Sequence, residues 1–140
     1  MPAEGYVPLL KRNHVFFGLT DDQILDCANA LKVEQRSAGE VIVRQAERPE
    51  SFYVIERGRV KLTRLEGQKT RTLTAYVDGD YFGAAELLED KPRVATAVAE
   101  VDTRLLRWSK EDFSKLLNRY PRFKVNLQAD NASRKLIGRT

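Results

Sequence analysis

The apolar positions repeat with two different periods along the chain. After Thr20, Ile24, Leu25, Ala28 and Leu31 recur three or four residues apart and mark one face of a helix. Its start is signalled by Thr20-Asp21-Asp22-Gln23, which has capping-box spacing, with Leu19 and Ile24 at staple positions. From residue 32 to residue 107 the period shortens to alternation. Short β-branched or aromatic runs at 33–36, 40–44, 51–57, 59–65, 71–77, 95–101 and 104–108 are punctuated by Gly39, Pro49, Gly58, Gly67 and Gly79. Evenly spaced short strands of this kind predict an antiparallel barrel or sandwich. Glu56-Arg57-Gly58 and Glu66-Gly67-Gln68 read as hairpin turns within it.

The helical period returns at Ser109, an N-cap with Asp112 three residues on and Trp108 placed to staple against Phe113. Phe113, Leu116, Leu117 and Tyr120 form the stripe of that helix, and Pro121 ends it. A last segment, 122–137, carries Val125, Ala129, Ala132 and Leu136 at heptad-like spacing, a stripe expected to pack on its own domain. Residues 1–8, with Gly5 and two prolines, read as a loose lead-in; 13–19 is apolar and reads as a short turn docked on the body. The fold class predicted is mainly β with flanking helices.

Composition narrows the chemistry. At 140 residues and 42% hydrophobic, the chain suits a single domain: a helical segment at 1–31, a β unit at 32–108 and C-terminal helices at 109–140. Lys and Arg number 24 against 20 Asp and Glu, a mildly basic balance that names no partner, and Arg134, Lys135 and Arg139 read as a solvated tail. The lone Cys27 permits no internal disulfide and reads as a helix-packing thiol. Neither a membrane-length apolar run nor a signal peptide is evident, so a cytoplasmic setting is the expectation. His14 is the single histidine, which argues against a clustered-histidine metal site, and no catalytic triad assembles around it, so the chain is not read as an enzyme. A helix-turn-helix for DNA would have to follow the last helix, and the sequence ends at Thr140.

The stretch with the most chemistry is 81–98. Asp78-Gly79-Asp80 ends a strand, Gly83 permits close backbone approach, and 84–89 is rich in helix formers. Free N–H groups at such a turn favour an anion. Lys91-Pro92 stops the helix, and Arg93 follows with a guanidinium able to hold an oxyanion through two parallel hydrogen bonds. Residues 94–98 form a run of small residues that leaves room beside it. Read on residues alone, this is either a small anion site or a tightly packed turn in which Arg93 pairs with Asp80 or Glu89.

Phe82-Gly83, Leu87-Leu88, Pro92-Arg93 and Ala95-Thr96 together resemble the phosphate-binding cassette of cyclic nucleotide-binding domains. The likeness continues through 38–42, 52–55, 58–62 and Asp112-Phe113. It implies an antiparallel β-roll or jelly roll, also described as a double-stranded β-helix, and a site made of Gly83, Ala84, Ala85, Glu86, Arg93, Val94 and Ala95 that takes the phosphate and ribose of cAMP or cGMP. It also implies that the C-terminal helices transmit the signal, lid the ligand, or pair two subunits or an effector domain, with a hinge near Tyr120-Pro121. One position departs from the pattern: the glutamate that usually follows the glycine to take the ribose hydroxyl is replaced by Ala84, and a glutamate stands two places later as Glu86. Two functions therefore remain in play. One is a cyclic-nucleotide sensor, and the other is a degenerate fold serving as an interaction or dimerisation module.

Overall fold

The computed structural model describes residues 2–136, the side chain of residue 136 excepted; the predicted basic residue Arg139 lies outside them. Helices α1 (Val7–Lys11) and α2 (Asp21–Asn29) precede eight strands: β1 (Lys32–Arg36), β2 (Val41–Val43), β3 (Ser51–Arg57), β4 (Arg59–Glu66), β5 (Lys69–Val77), β6 (Tyr81–Phe82), β7 (Thr96–Ala99) and β8 (Thr103–Ser109). Helix α3 (Ala84–Glu89) interrupts the strands, and α4 (Lys110–Arg119) and α5 (Pro121–Leu136) follow β8. The strands form two antiparallel four-stranded sheets, ordered β1-β8-β3-β6 and β2-β7-β4-β5. This is the mainly β, antiparallel architecture with flanking helices that the alternation predicts, in the roll form that the resemblance implies.

Period two along β3 explains how one strand serves two cores. Phe52 and Val54 face the helices, where Trp108, Phe113, Phe16 and Phe123 close around them. Tyr53 and Ile55 face into the roll with Val60, Leu62, Tyr76, Phe82 and Leu105. All of 51–55 is thus buried on both faces, which is why that run is uniformly apolar after Ser51. The helix starts are built as their sequences dictate. Gln23 N donates to Thr20 Oγ1 at 3.2 Å while Thr20 N donates to Gln23 Oε1 at 2.9 Å, and Asp112 N donates to Ser109 Oγ at 3.1 Å. Cys27 is fully buried beneath Trp108, whose Nε1 donates to the Cys27 carbonyl at 2.8 Å. Burial pushes its thiol up to about 12, so it is a packing group and not a nucleophile.

Four expectations need correction. The 56–58 turn is not a hairpin, since β3 and β4 belong to different sheets. Gly58, at φ 132°, turns the corner between them where an added Cβ would lie 2.8 Å from Thr103 Cα. The lead-in is ordered: a 3-10 turn Ala3–Tyr6 runs into α1, whose Pro8 sits in the first turn, where its missing N–H costs nothing, and Tyr6 and Leu10 enter the core. The stripe on α5 faces outward: Val125 is 56% exposed and Ala129 and Ala132 are exposed, while Phe123, Leu127, Asn131 and Arg134 are buried. Arg134 is accordingly not a solvated tail residue; it lies over the ring of Tyr81 at 3.6 Å and pairs with Asp130 at 3.0 Å.

One strained residue sits beside the cassette. Ala46 adopts φ 74°, a left-handed conformation that costs an L-residue with a Cβ about 1–2 kcal/mol, and it is held there because Ala46 N donates to Arg93 O at 2.8 Å. Ala46→Gly removes that cost against roughly 0.5–1 kcal/mol of added chain entropy. The variant is therefore expected to be more stable by about 0.5–1 kcal/mol in urea denaturation, with an unchanged m-value.

Candidate functional site

Between β6 and β7 the chain makes a left-handed step at Gly83 (φ 88°), one and a half turns of α3, a second left-handed residue at Asp90, and the extended stretch 92–95. An added Cβ at Gly83 would stand 3.0 Å from Arg93 Nη1 and 3.3 Å from the Ser51 carbonyl, so this position must be glycine for the guanidinium to reach its partners. Arg93 turns inward and is only 4% exposed. Its backbone is fixed on the side away from α3, where Arg93 N donates to Glu47 O at 2.8 Å and Arg93 O accepts from Ala46 N.

The guanidinium is held at three points. Nη1 donates to Gly83 O at 2.9 Å and to Glu86 Oε1 at 2.7 Å, and Nη2 donates to Ser51 O at 2.6 Å. Ser51 is braced from behind by Arg107 Nε on its hydroxyl at 2.6 Å. Glu86 is 6% exposed and lies in the interior. The counter-ion of Arg93 is therefore neither Asp80 nor Glu89, the two carboxylates the sequence suggests. It is Glu86, one turn into α3, where the helix points its side chain back toward Gly83. Glu89 instead pairs with Lys91 and with Lys135 of α5, which hold its carboxyl below the usual range.

Two hollows meet at this ion pair. One, of about 20 Å³, lies inside the roll between Val43, Leu62, Phe82, Ala97 and the Arg93–Glu86 pair, with Gly83, Val94 and Ala95 completing it. That is room for a single water. The other, of about 240 Å³, opens under α5 and is lined by Ala85, Glu86, Val94, Arg64, Asn131 and Arg134. Of the seven residues singled out from sequence, Gly83, Ala85, Glu86, Arg93, Val94 and Ala95 line these two hollows; Ala84 is buried among the helices and lines neither.

Sequence reasoning did not find the residues that fasten α5 over this site. His14 Nε2 and Asp130 Oδ1 lie 2.7 Å apart, Tyr81 donates its hydroxyl to Asp130, and Arg134 pairs with the same carboxylate. Burial pushes Asp130 up, but the hydrogen bonds from Tyr81 and His14 and the charge of Arg134 outweigh it, so the carboxyl sits below its ordinary range. Burial raises the Tyr81 hydroxyl well above its ordinary value, so it stays protonated and donates. The partners are 49 and 116 residues apart in the chain, a distance no local pattern signals. Among the described residues, no group of three or more His, Cys, Asp or Glu is placed to hold a metal ion, and no helix is long and apolar enough to cross a membrane.

A roll of two four-stranded sheets, broken by a glycine-started helix and an inward arginine, defines a class of protein. Residues 33–120 match the model of the cyclic nucleotide-binding domain, and the chain belongs to that family. It is 33% identical over 114 residues to the cGMP-dependent protein kinase egl-4 of Caenorhabditis briggsae, covering 79% of this chain and 15% of the kinase. It is also 33% identical over 122 residues to the cyclic AMP receptor protein of Thermus thermophilus, covering 86% of this chain and 56% of the receptor. Among solved structures it is similar to the regulatory domain of Toxoplasma gondii protein kinase A with cAMP, at 28% identity and a TM-score of 0.84, over 94% of this chain and 50% of that one. The chain thus spans between about a seventh and just over half of the length of these relatives.

Proposed function

We propose that this chain is the ligand-sensing module of a longer regulatory protein, binding a cyclic nucleotide, cAMP or cGMP, at the cassette of residues 82–96 and carrying no catalytic step of its own. The observation that carries this reading is the state of Arg93: a buried guanidinium already holding a carboxylate oxygen at 2.7 Å, beside a strand of small residues. An oxyanion in that place is what the cassette is shaped to hold, and Glu86 supplies one in this structure. A phosphodiester enters by displacing Glu86 and taking over the Nη1 donor that the carboxylate holds, while the rest of the ligand extends into the hollow under α5. Movement of α3 then reaches α5 through the Glu89–Lys135 pair, and the readout passes to whatever the helix contacts in a cytoplasmic setting.

Thermal unfolding against a panel of cyclic and linear nucleotides tests this. A true ligand at a hundredfold over its Kd adds about 2.7 kcal/mol of stability, a readily measured rise in Tm. A panel in which no cyclic nucleotide moves Tm at millimolar concentration overturns the sensing reading. A second reading then takes its place, favoured by the 20 Å³ hollow and the outward stripe Val125, Ala129 and Ala132: an interaction or dimerisation module that uses α5 and binds no nucleotide. Sedimentation of the full chain as a dimer that Val125→Glu dissociates would support it.

A further inference from the structure

A cleft of about 530 Å³ opens beside the cassette, between the 44–50 loop and the face of β1, β8 and β3 that carries Tyr53. Of the residues assigned to the nucleotide, Arg93 alone reaches it, and that guanidinium has given both terminal nitrogens to Gly83, Glu86 and Ser51. Tyr53 is 4% exposed and stacks on Phe82 at 4.9 Å, yet its hydroxyl meets no hydrogen-bond partner among the described residues. Buried tyrosine hydroxyls ordinarily find one, so this one is left for an occupant of the cleft. Arg107 lies directly opposite Tyr53 in the β3–β8 register and shares its face. Its Nε donates to Ser51 Oγ at 2.6 Å and lies 3.6 Å from Glu34, while its two terminal nitrogens hold no partner among the described residues.

With Arg93 left to Glu86, four arginines and three glutamates line the cleft, a surplus of one positive charge. Arg36 holds Glu34 at 3.0 Å, and Arg44 lies 3.6 Å from Glu47. Arg48 and Glu50 have no charged partner among the described residues, and both are exposed. The groups left open are guanidinium nitrogens, those of Arg48 and Arg107 above all, with the hydroxyls of Ser51 and Tyr53 and the Glu50 carboxylate beside them. Planar pairs of N–H groups fit the oxygens of a phosphate. Inorganic phosphate would leave most of the 530 Å³ empty and Glu50 unmet, whereas a phosphate ester bearing hydroxyl or amino donors meets both. We infer that this cleft is a second ligand site, one for a small phosphomonoester, with Arg48 and Arg107 on the phosphate, Tyr53 donating to it and Glu50 accepting from the remainder. The site does not depend on what the cassette binds.

The test is titration calorimetry of the full chain with ribose 5-phosphate, 3-phosphoglycerate and phosphoserine, with ribose and serine as unphosphorylated controls. At least one of the three esters is expected to bind at submillimolar concentration, and neither control. Arg48→Ala, on an exposed loop where folding is not at stake, is expected to weaken that binding by about ten- to a hundredfold, the range of a lost charge-assisted hydrogen bond. Tyr53→Phe is expected to weaken it about two- to tenfold and to leave the ligand-free Tm unchanged, because the hydroxyl it removes has no protein partner among the described residues. The double variant Arg93→Met with Glu86→Leu, which dismantles the cassette, is expected to keep it. Binding of none of the three esters overturns the inference, and so does an affinity unchanged in either Arg48→Ala or Tyr53→Phe. Loss of binding in the folded double variant overturns it too, by placing the phosphate in the cassette.

Discussion

Arg93→Ala is expected to unfold at a lower temperature and to bind cyclic nucleotide far more weakly. The stability loss comes from Glu86, whose carboxylate is left buried without its cation; removing one partner of a buried pair costs about 3–5 kcal/mol. For a chain of 140 residues that is a fall in Tm on the order of 10 °C. The carbonyls of Gly83 and Ser51 lose their donor as well, so the estimate leans to its upper end. Binding falls by ~2–5 kcal/mol, roughly thirtyfold to several thousandfold. The two effects separate in the double variant Arg93→Met with Glu86→Leu, which removes both charges at similar volume. Calorimetric unfolding of that variant should return to within about 1–2 kcal/mol of wild type, because well-packed apolar replacements of buried pairs are tolerated, while nucleotide binding stays lost. A double variant that binds as well as wild type would remove Arg93 from the ligand site.

Glu86→Ala is expected to do the opposite to affinity and the same to stability. Without nucleotide, Arg93 is buried and unpaired, again at a cost of about 3–5 kcal/mol. With nucleotide, the phosphate no longer competes with a resident carboxylate, and the guanidinium that it meets is one whose pairing energy has not been spent. The gain in affinity is at least tenfold, since coupling between close charge pairs starts at about 1.5 kcal/mol. The signature is an unstable apo protein that saturating cyclic nucleotide rescues to a Tm near that of the liganded wild type, measured by thermal unfolding with and without ligand. Affinity unchanged from wild type in titration calorimetry would mean that Glu86 does not compete for the site.

Much of the architecture was legible because it is locally encoded. The apolar run in 51–57 is β3 to the residue, the Thr20 and Ser109 caps start their helices as spaced, and Gly67 turns a true hairpin, between β4 and β5. What failed was encoded elsewhere. Gly58 has the turn chemistry of a hairpin, but which sheet the next strand joins is decided by β7 and β8, the strands that β4 and β3 pair with. The stripe of α5 has helical spacing on two faces, and the aromatic cluster around Phe52 chose the face with Phe123 and Leu127. The cassette residues were readable as a motif, but the pairing of Arg93 with Glu86, which sets the state of the site, was not. Spacing of seven residues across a proline break does not say which of three nearby carboxylates the guanidinium will meet.

The junction at Asp130 gives the molecule a mechanical property of its own. One carboxylate ties the start of the chain, through His14, to the second-last turn of its final helix and to the roll, through Tyr81. A tilt of that helix therefore has to carry the leading segment with it or shed the imidazole. The turn around His14 and the helix around Asp130 thus share one anchor on the roll, and loosening that carboxylate frees both together.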